Sequence, residues 1–108
     1  MNEQITVSTH QLKYDIYGSD TILYFFKDYS SRKIVFSIPE WFWSVHLDLG
    51  LESLVNDVEH FGNLDDAVEN MVEHMLFMCA YIPDELDKKM ASHTIQKILR
   101  KEFETLKG

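Results

Sequence analysis

The sequence predicts an α+β domain, an N-terminal antiparallel β-meander of three to four strands followed by three α-helices packed on one face. Three observations predict it. Apolar residues alternate with period two through most of residues 1–49. From Leu51 onward they recur at three- and four-residue spacing, the pattern of helices with one buried stripe. The chain has 108 residues, 45% of them apolar, with only four Gly and two Pro, which suits a single domain over 1–108 with one core.

The strands follow in order. In residues 4–17, QITVSTHQLKYDIY, Ile5, Val7 and Thr9 alternate, then Leu12, Tyr14 and Ile16 alternate in the other phase. A β-bulge near His10 and Gln11 would absorb the slip. Gly18–Asp20 is turn chemistry. Thr21–Tyr29, TILYFFKDY, is rich in β-branched and aromatic residues and predicts a well-covered strand. SSRK supplies a turn, and Ile34, Phe36 and Ile38 alternate as a third strand.

The stretch IPEWFWSVHLDLGLE, Ile38–Glu52, has two readings. As a strand, it places Trp41, Trp43, Val45, Leu47 and Leu49 on one face and Phe42, Ser44, His46 and Asp48 on the other. Five matches to the alternating template favour this reading. As a helix start, Ser37 with Glu40 three residues later and Pro39 between resembles a capping box. Gly50 closes the stretch.

Leu51, Leu54, Val55, Val58 and Phe61 mark a first helix, ended by Phe61-Gly62-Asn63. Asn63 is placed to cap the second, with Asp65 and Asp66 in its first turn. Leu64, Val68, Met71, Val72, Met75 and Cys79 form its buried stripe, and Asp65, Glu69 and Glu73 its outer face. Near its end the run MLFMCAYI, Met75–Ile82, is apolar all round, which predicts that this helix is central. Pro83 stops it. Pro83 or Asp84 begins a third helix bearing Leu86, Met90, Ile95, Ile98, Leu99 and Leu106, with a bend expected at Ser92 and His93.

Composition excludes several classes. Met1–Thr9 is polar and lacks the charged and apolar regions of a signal peptide. The longest nearly unbroken apolar run, Met75–Ile82, is far short of the ~20 residues that span a bilayer. The one cysteine, Cys79, lies in that run, which predicts an inert thiol in a reducing compartment. A cytoplasmic protein with no membrane partner is expected.

Charge is the strongest signal. Residues 1–33 balance at zero, residues 34–87 hold twelve acids and no Lys or Arg, and residues 88–108 carry a net +4, giving −8 for the chain. Such a field steers basic partners and repels polyanions, so direct nucleic-acid binding is not expected. The basic positions Lys89, Lys97, Arg100 and Lys101, with His93 between, read as neutralising the acidic helices or as solvated. His60 three residues after Asp57, and His74 four after Asn70, read as surface residues. There is no His-Glu-x-x-His, Cys-x-x-Cys, Gly-x-Ser-x-Gly or Gly-rich phosphate loop. No metal ligand, cofactor or catalytic residue is assigned, and an enzyme is not expected.

Asp65, Glu69 and Glu73 stand about one ~5.4 Å turn apart, with no lysine interleaved. That pattern implies a partner that supplies the positive charge. The candidate partner-binding residues are Asp57, Glu59, Asp65, Asp66, Glu69 and Glu73, together with Trp41, Phe42, Trp43, His46 and Asp48. The expected function is a small acidic inhibitor that occludes a basic surface on a protein partner, as a bacterial immunity protein or antitoxin does for a nuclease toxin. The alternatives are a phage-encoded nucleic-acid mimic of the anti-CRISPR or anti-restriction kind, a homo-oligomeric module centred on Trp41–Trp43, and a small enzyme of unassigned chemistry.

Overall fold

Alternation builds the sheet. The computed structural model describes residues 5–13, 21–82 and 85–107. Strands β1 (Ile5–Lys13), β2 (Thr21–Asp28), β3 (Lys33–Ile38) and β4 (Trp43–Asp48) pair antiparallel in the order β1-β2-β3-β4. Their register sets Ser8, Phe25, Phe36 and Val45 side by side on one face, and Val7, Phe26, Val35 and His46 on the other. Helices α1 (Glu52–Phe61), α2 (Leu64–Phe77) and α3 (Glu85–Lys107) follow and cover the first face. Helix α2 packs between α1 and α3, and α3 also crosses β1. The molecule is 22 Å through its thin axis, as one sheet under one layer of helices requires. The fold is therefore the α+β meander with three helices on one face that the sequence pattern predicts.

The core joins the two layers. Leu23, Phe25, Ile34, Phe36 and Ile38 rise from the sheet to meet Leu54, Val68, Val72, Leu76, Ile95 and Leu99. The Phe25 and Phe36 rings lie 5.1 Å apart within it. The slip in β1 is a register shift between Gln11 and Lys13. It lets Leu12 keep its place in the core while Ile5, Val7 and Thr9 face outward. Tyr14, Ile16, the turn at Gly18–Asp20 and the start at Pro83 or Asp84 lie outside the described residues.

Caps and turns place the helices. Asn63 Oδ1 accepts from the Asp66 N–H at 2.8 Å, the N-cap bond expected of it. The first helix is capped from further back. Leu51 occupies its N-cap with φ 52° and an apolar side chain, so the Asp48 carboxylate takes the Glu52 N–H at 3.1–3.2 Å instead. Gly62, at φ 82°, ends α1 by donating to the Val58 carbonyl.

Four expectations are corrected. Strand β2 is covered on one face only: Leu23 and Phe25 are buried, while Ile22, Tyr24 and Phe26 are half-exposed because, among the described residues, no element packs on that side. The Ile38–Glu52 stretch is a strand only over Trp43–Asp48. The Ser37–Glu40 capping box does not form: Ser37 stays in β3, Ile38 is the N-cap of a single 3₁₀ turn, Pro39–Trp41, that Pro39 opens without a side-chain cap, and Glu40 Oε1 accepts from the Ile22 N–H at 3.3 Å. Helix α3 runs unbroken through Ser92 and His93, and Ser92 Oγ accepts from Gln96 Nε2 at 3.0 Å. Its buried stripe includes Phe103 and Ala91, whereas Leu86 and Leu106 are exposed. Finally, α2 ends at Phe77, and Phe77, Met78 and Tyr81 project outward, since no described element lies above the helical layer to receive them.

Two predictions follow from this packing. Leu76 is 1% exposed, and Leu76→Ala is expected to lower stability by about 2–5 kcal/mol, read as a shifted denaturant midpoint at constant slope. Lys27 Nζ on β2 meets Glu102 Oε1 on α3 at 2.8 Å, and that bond holds the Lys27 ammonium above the ordinary lysine value of 10.5. The unfolded chain then loses this proton first. The pair's contribution is complete below pH 10.5 and is lost as pH rises through the folded-state value. An alkaline stability titration should show that decline, and Lys27→Met should remove it.

Candidate protein-binding surface

The carboxylates of residues 34–87 separate into those with a local reason and those without. Glu52, Asp65, Asp66 and Glu85 stand in first turns, where the helix macrodipole favours negative charge. Asp48 caps α1, and Asp66 Oδ2 also accepts from Asn63 Nδ2 at 2.9 Å. Asp87 is buried, 4% exposed, and presents no surface. Asp65 pairs with Arg100 Nε of α3 at 2.9 Å, which corrects the expectation that its row lacks an internal counter-ion. Glu40 accepts from the Ile22 N–H, Asp84 lies outside the described residues, and Asp57 and Glu59 on α1 with Glu69 and Glu73 on α2 remain. They lie beyond the first turns, are exposed or half-exposed, and join neither the Lys27–Glu102 nor the Arg100–Asp65 pair.

The tryptophans are core. Trp41 is 3% and Trp43 6% exposed, which removes both from any contact surface. Trp43 Nε1 donates to the Met75 carbonyl at 3.1 Å, satisfying one of the last-turn acceptors that α2 cannot satisfy itself. The half-buried Cys79 donates its S–H to the Trp41 carbonyl at 3.8 Å. The end of α2 is thereby fastened beneath the β3–β4 connection.

That fastening forces aromatic residues outward. Phe42 and Phe77 are about four-fifths exposed, as is Met78, and Tyr81 is well exposed. The Phe42 and Tyr81 rings meet at 5.2 Å and 59°. Phe42 also holds a left-handed backbone, φ 50° and ψ 43°. For a non-glycine residue this costs about 1–2 kcal/mol. Leu51, at φ 52°, offsets such a cost through complete burial, whereas the Phe42 side chain stays exposed and has only the Tyr81 ring pair to set against it. Exposed, strained residues of this kind concentrate at functional sites.

A groove of about 490 Å³ between β4, α1 and α2 runs on from this cluster. Val45, Leu47, Met71, Met75 and Met78 supply its apolar walls, and Asp57 and His74 also line it. A smaller depression shares Asn70 and His74 with it and adds Glu73 and Phe77. The His74 Nδ1–H donates to the Asn70 carbonyl at 2.9 Å, fixing the ring at this junction. Flexible thioether side chains let such a groove adapt to its occupant.

The structure sets Asp57 in the wall of the larger groove and Glu73 beside Phe77 in the depression that adjoins it, with Glu69 one turn from Glu73, while Phe42 meets Tyr81. It does not bring His46 and Asp48 to them. Those two side chains belong to the opposite sheet face, and six residues of extended chain, ~20 Å, separate Asp48 from Phe42. Phe77, Met78 and Tyr81 lie in the Met75–Ile82 run that predicts a central helix, and they are absent from the candidate binding residues. The available signal was the length of the Met75–Ile82 run, which exceeds what one helical stripe can bury.

Among the described residues, no three or more His, Cys, Asp or Glu are placed to hold a metal ion, and no helix is long and apolar enough to cross a membrane. Comparison with protein-family models, curated proteins and solved structures returns no match to this chain.

Phe42→Asn is expected to keep the fold and leave stability unchanged or raise it by up to ~1 kcal/mol, since Asn tolerates the left-handed conformation. A thermal melt measures this directly, and a loss above ~1 kcal/mol would show that the Phe42 ring is needed for folding.

Proposed function

We propose that this protein is a small acidic inhibitor that covers a basic surface on a partner protein, acting in the cytoplasm as the immunity protein or antitoxin of a nuclease toxin. The observation that carries this reading is the set Asp57, Glu59, Glu69 and Glu73, four carboxylates that no helix start explains and that join neither the Lys27–Glu102 nor the Arg100–Asp65 pair found among the described residues. The exposed Phe42, Phe77, Met78 and Tyr81 support it by supplying rigid and adaptable apolar anchors beside that charge. Opposite charge would speed encounter with a cationic cleft, and the anchors would slow release. A nuclease toxin fits because its substrate cleft must be basic to hold phosphates.

The test uses the protein encoded by the neighbouring reading frame. A one-to-one complex that abolishes nuclease activity is expected, with an association rate that falls steeply as salt rises. The variant Asp57→Lys, Glu69→Lys, Glu73→Lys should melt as the parent does and associate at least about tenfold more slowly. Asp65 is left out of it because reversal there would set two cations together at Arg100. Normal binding by this variant, or a salt-independent rate, would overturn the reading. Self-association through the Phe42–Tyr81 cluster is the competing account, and sedimentation as a monomer at micromolar concentration removes it.

A further inference from the structure

The face of β1 that meets the helices departs from the rest of the sheet. Where β2 presents Leu23 and Phe25 to the core, β1 presents Thr6, Ser8 and His10. The seam between β1 and α3 therefore does not close with apolar packing. It leaves a cleft of about 390 Å³, within the range of small-molecule sites. His93, Lys97 and Lys101 follow one another at four-residue intervals along α3 and line one wall, with Thr94 between them. His10 lines the other, and Ile98, 9% exposed, lies between the walls. A small adjoining depression reaches Ser8 and Phe25.

Charge in this cleft has the opposite sign to the rest of the molecule. No carboxylate among the described residues lines it. Glu102, in the adjoining depression, is taken by Lys27 at 2.8 Å. Arg100 turns the other way, to Asp65. Two lysines one turn apart repel each other, and a chain with eighteen acids sets none between them. Burial and the neighbouring Lys97 hold His10 below the usual histidine range.

We propose that the β1–α3 cleft binds a small phosphate monoester, its phosphate held by Lys97 and Lys101 with His10 and His93 beside it, and its apolar body against Ile98 and Phe25. Lysine ammonium groups meet a dianion as point charges, and Thr94 offers a hydroxyl within the same cleft, while the Ser8 hydroxyl in the adjoining depression pairs with His10 Nε2 at 3.2 Å. A long polyanion is disfavoured because the acidic face of α1 and α2 repels it. This site is separate from the surface proposed to meet a protein partner.

Phenyl phosphate is the probe, titrated into the full chain at low ionic strength and followed by amide and imidazole NMR. Saturable shifts are expected at His10, Thr94 and Ile98, with Kd below about 1 mM. Binding should raise the His10 pKa, because the dianion offsets the charge of Lys97; the other charged groups near this ring are Lys101 and His93 on α3 and the Glu102–Lys27 pair. Lys97→Glu and Lys101→Glu should each weaken binding at least about tenfold, the cost of exchanging attraction for repulsion at one contact. Their side chains are exposed, so melting curves should match the parent. Lys89→Glu makes the same change in net charge on the same helix outside the cleft, and it should bind normally. The proposal is overturned if no saturable shift appears, if Lys89→Glu weakens binding as much as Lys97→Glu, or if phenol or benzoate binds as tightly as phenyl phosphate.

Discussion

Trp43 donates its indole N–H to the Met75 carbonyl, and much of the candidate binding surface depends on that bond. A helix leaves its last carbonyls without internal donors, and at the end of α2 the Cys79 N–H takes the Leu76 carbonyl while a side chain from β4 takes that of Met75. Burying the Trp43 ring places that donor at the right depth. The same contact ties the edge of the sheet to the middle helix, with the Cys79 thiol on the Trp41 carbonyl as a second fastening. With both tryptophans inside, the residue between them has no room there. Phe42 is turned out in a left-handed conformation, and the residues after the last turn of α2 are turned out beside it. The groove along β4 and the aromatic cluster at its end are consequences of one polar bond made within an apolar seam.

Electrostatics in this molecule is spatially sorted rather than balanced. Acids at helix starts answer the macrodipole, and Asp48 completes a helix whose own N-cap residue is apolar. The cations of α3 divide by helix face. Arg100 reaches across to α2 and neutralises one acid, while Lys97 and Lys101 face the polar side of β1. Helical geometry favours that division, since residues 97 and 101 lie only about 40° apart around the axis while residue 100 lies about 60° from residue 97 and about 100° from residue 101, on the side of 97 away from 101. The remaining acids of α1 and α2 are left on the solvent side, and a basic cleft is left at the far end of the sheet. The two charged regions are kept apart by the core that separates α1 from β1.

Much of the secondary structure was legible because each element carries a strong local pattern. The alternation Ile34, Phe36, Ile38 and the stripe Val68, Met71, Val72, Met75 each match one period and no other. The Asn63 cap was legible for the same reason, its partner being three residues away. The stretch around Trp41 was harder because two local signals compete within five residues. The structure divides the stretch between them, Pro39 opening one 3₁₀ turn without a side-chain cap and the alternation forming β4. The fate of Met75–Ile82 was not legible, because an apolar run does not state how many of its faces will be covered.

By itself, the sequence determined the order of strands and helices, their periods and the sign of the charge on each segment, all properties of residues near one another in the chain. Only the tertiary structure decided which acids have a cation, which aromatic residues are buried and where a cleft remains. Those outcomes depend on contacts such as Arg100 with Asp65 and Trp43 with Met75, across 35 and 32 residues of chain. Their distances are set by how a single helical layer covers one face of a sheet, and no local pattern encodes that packing.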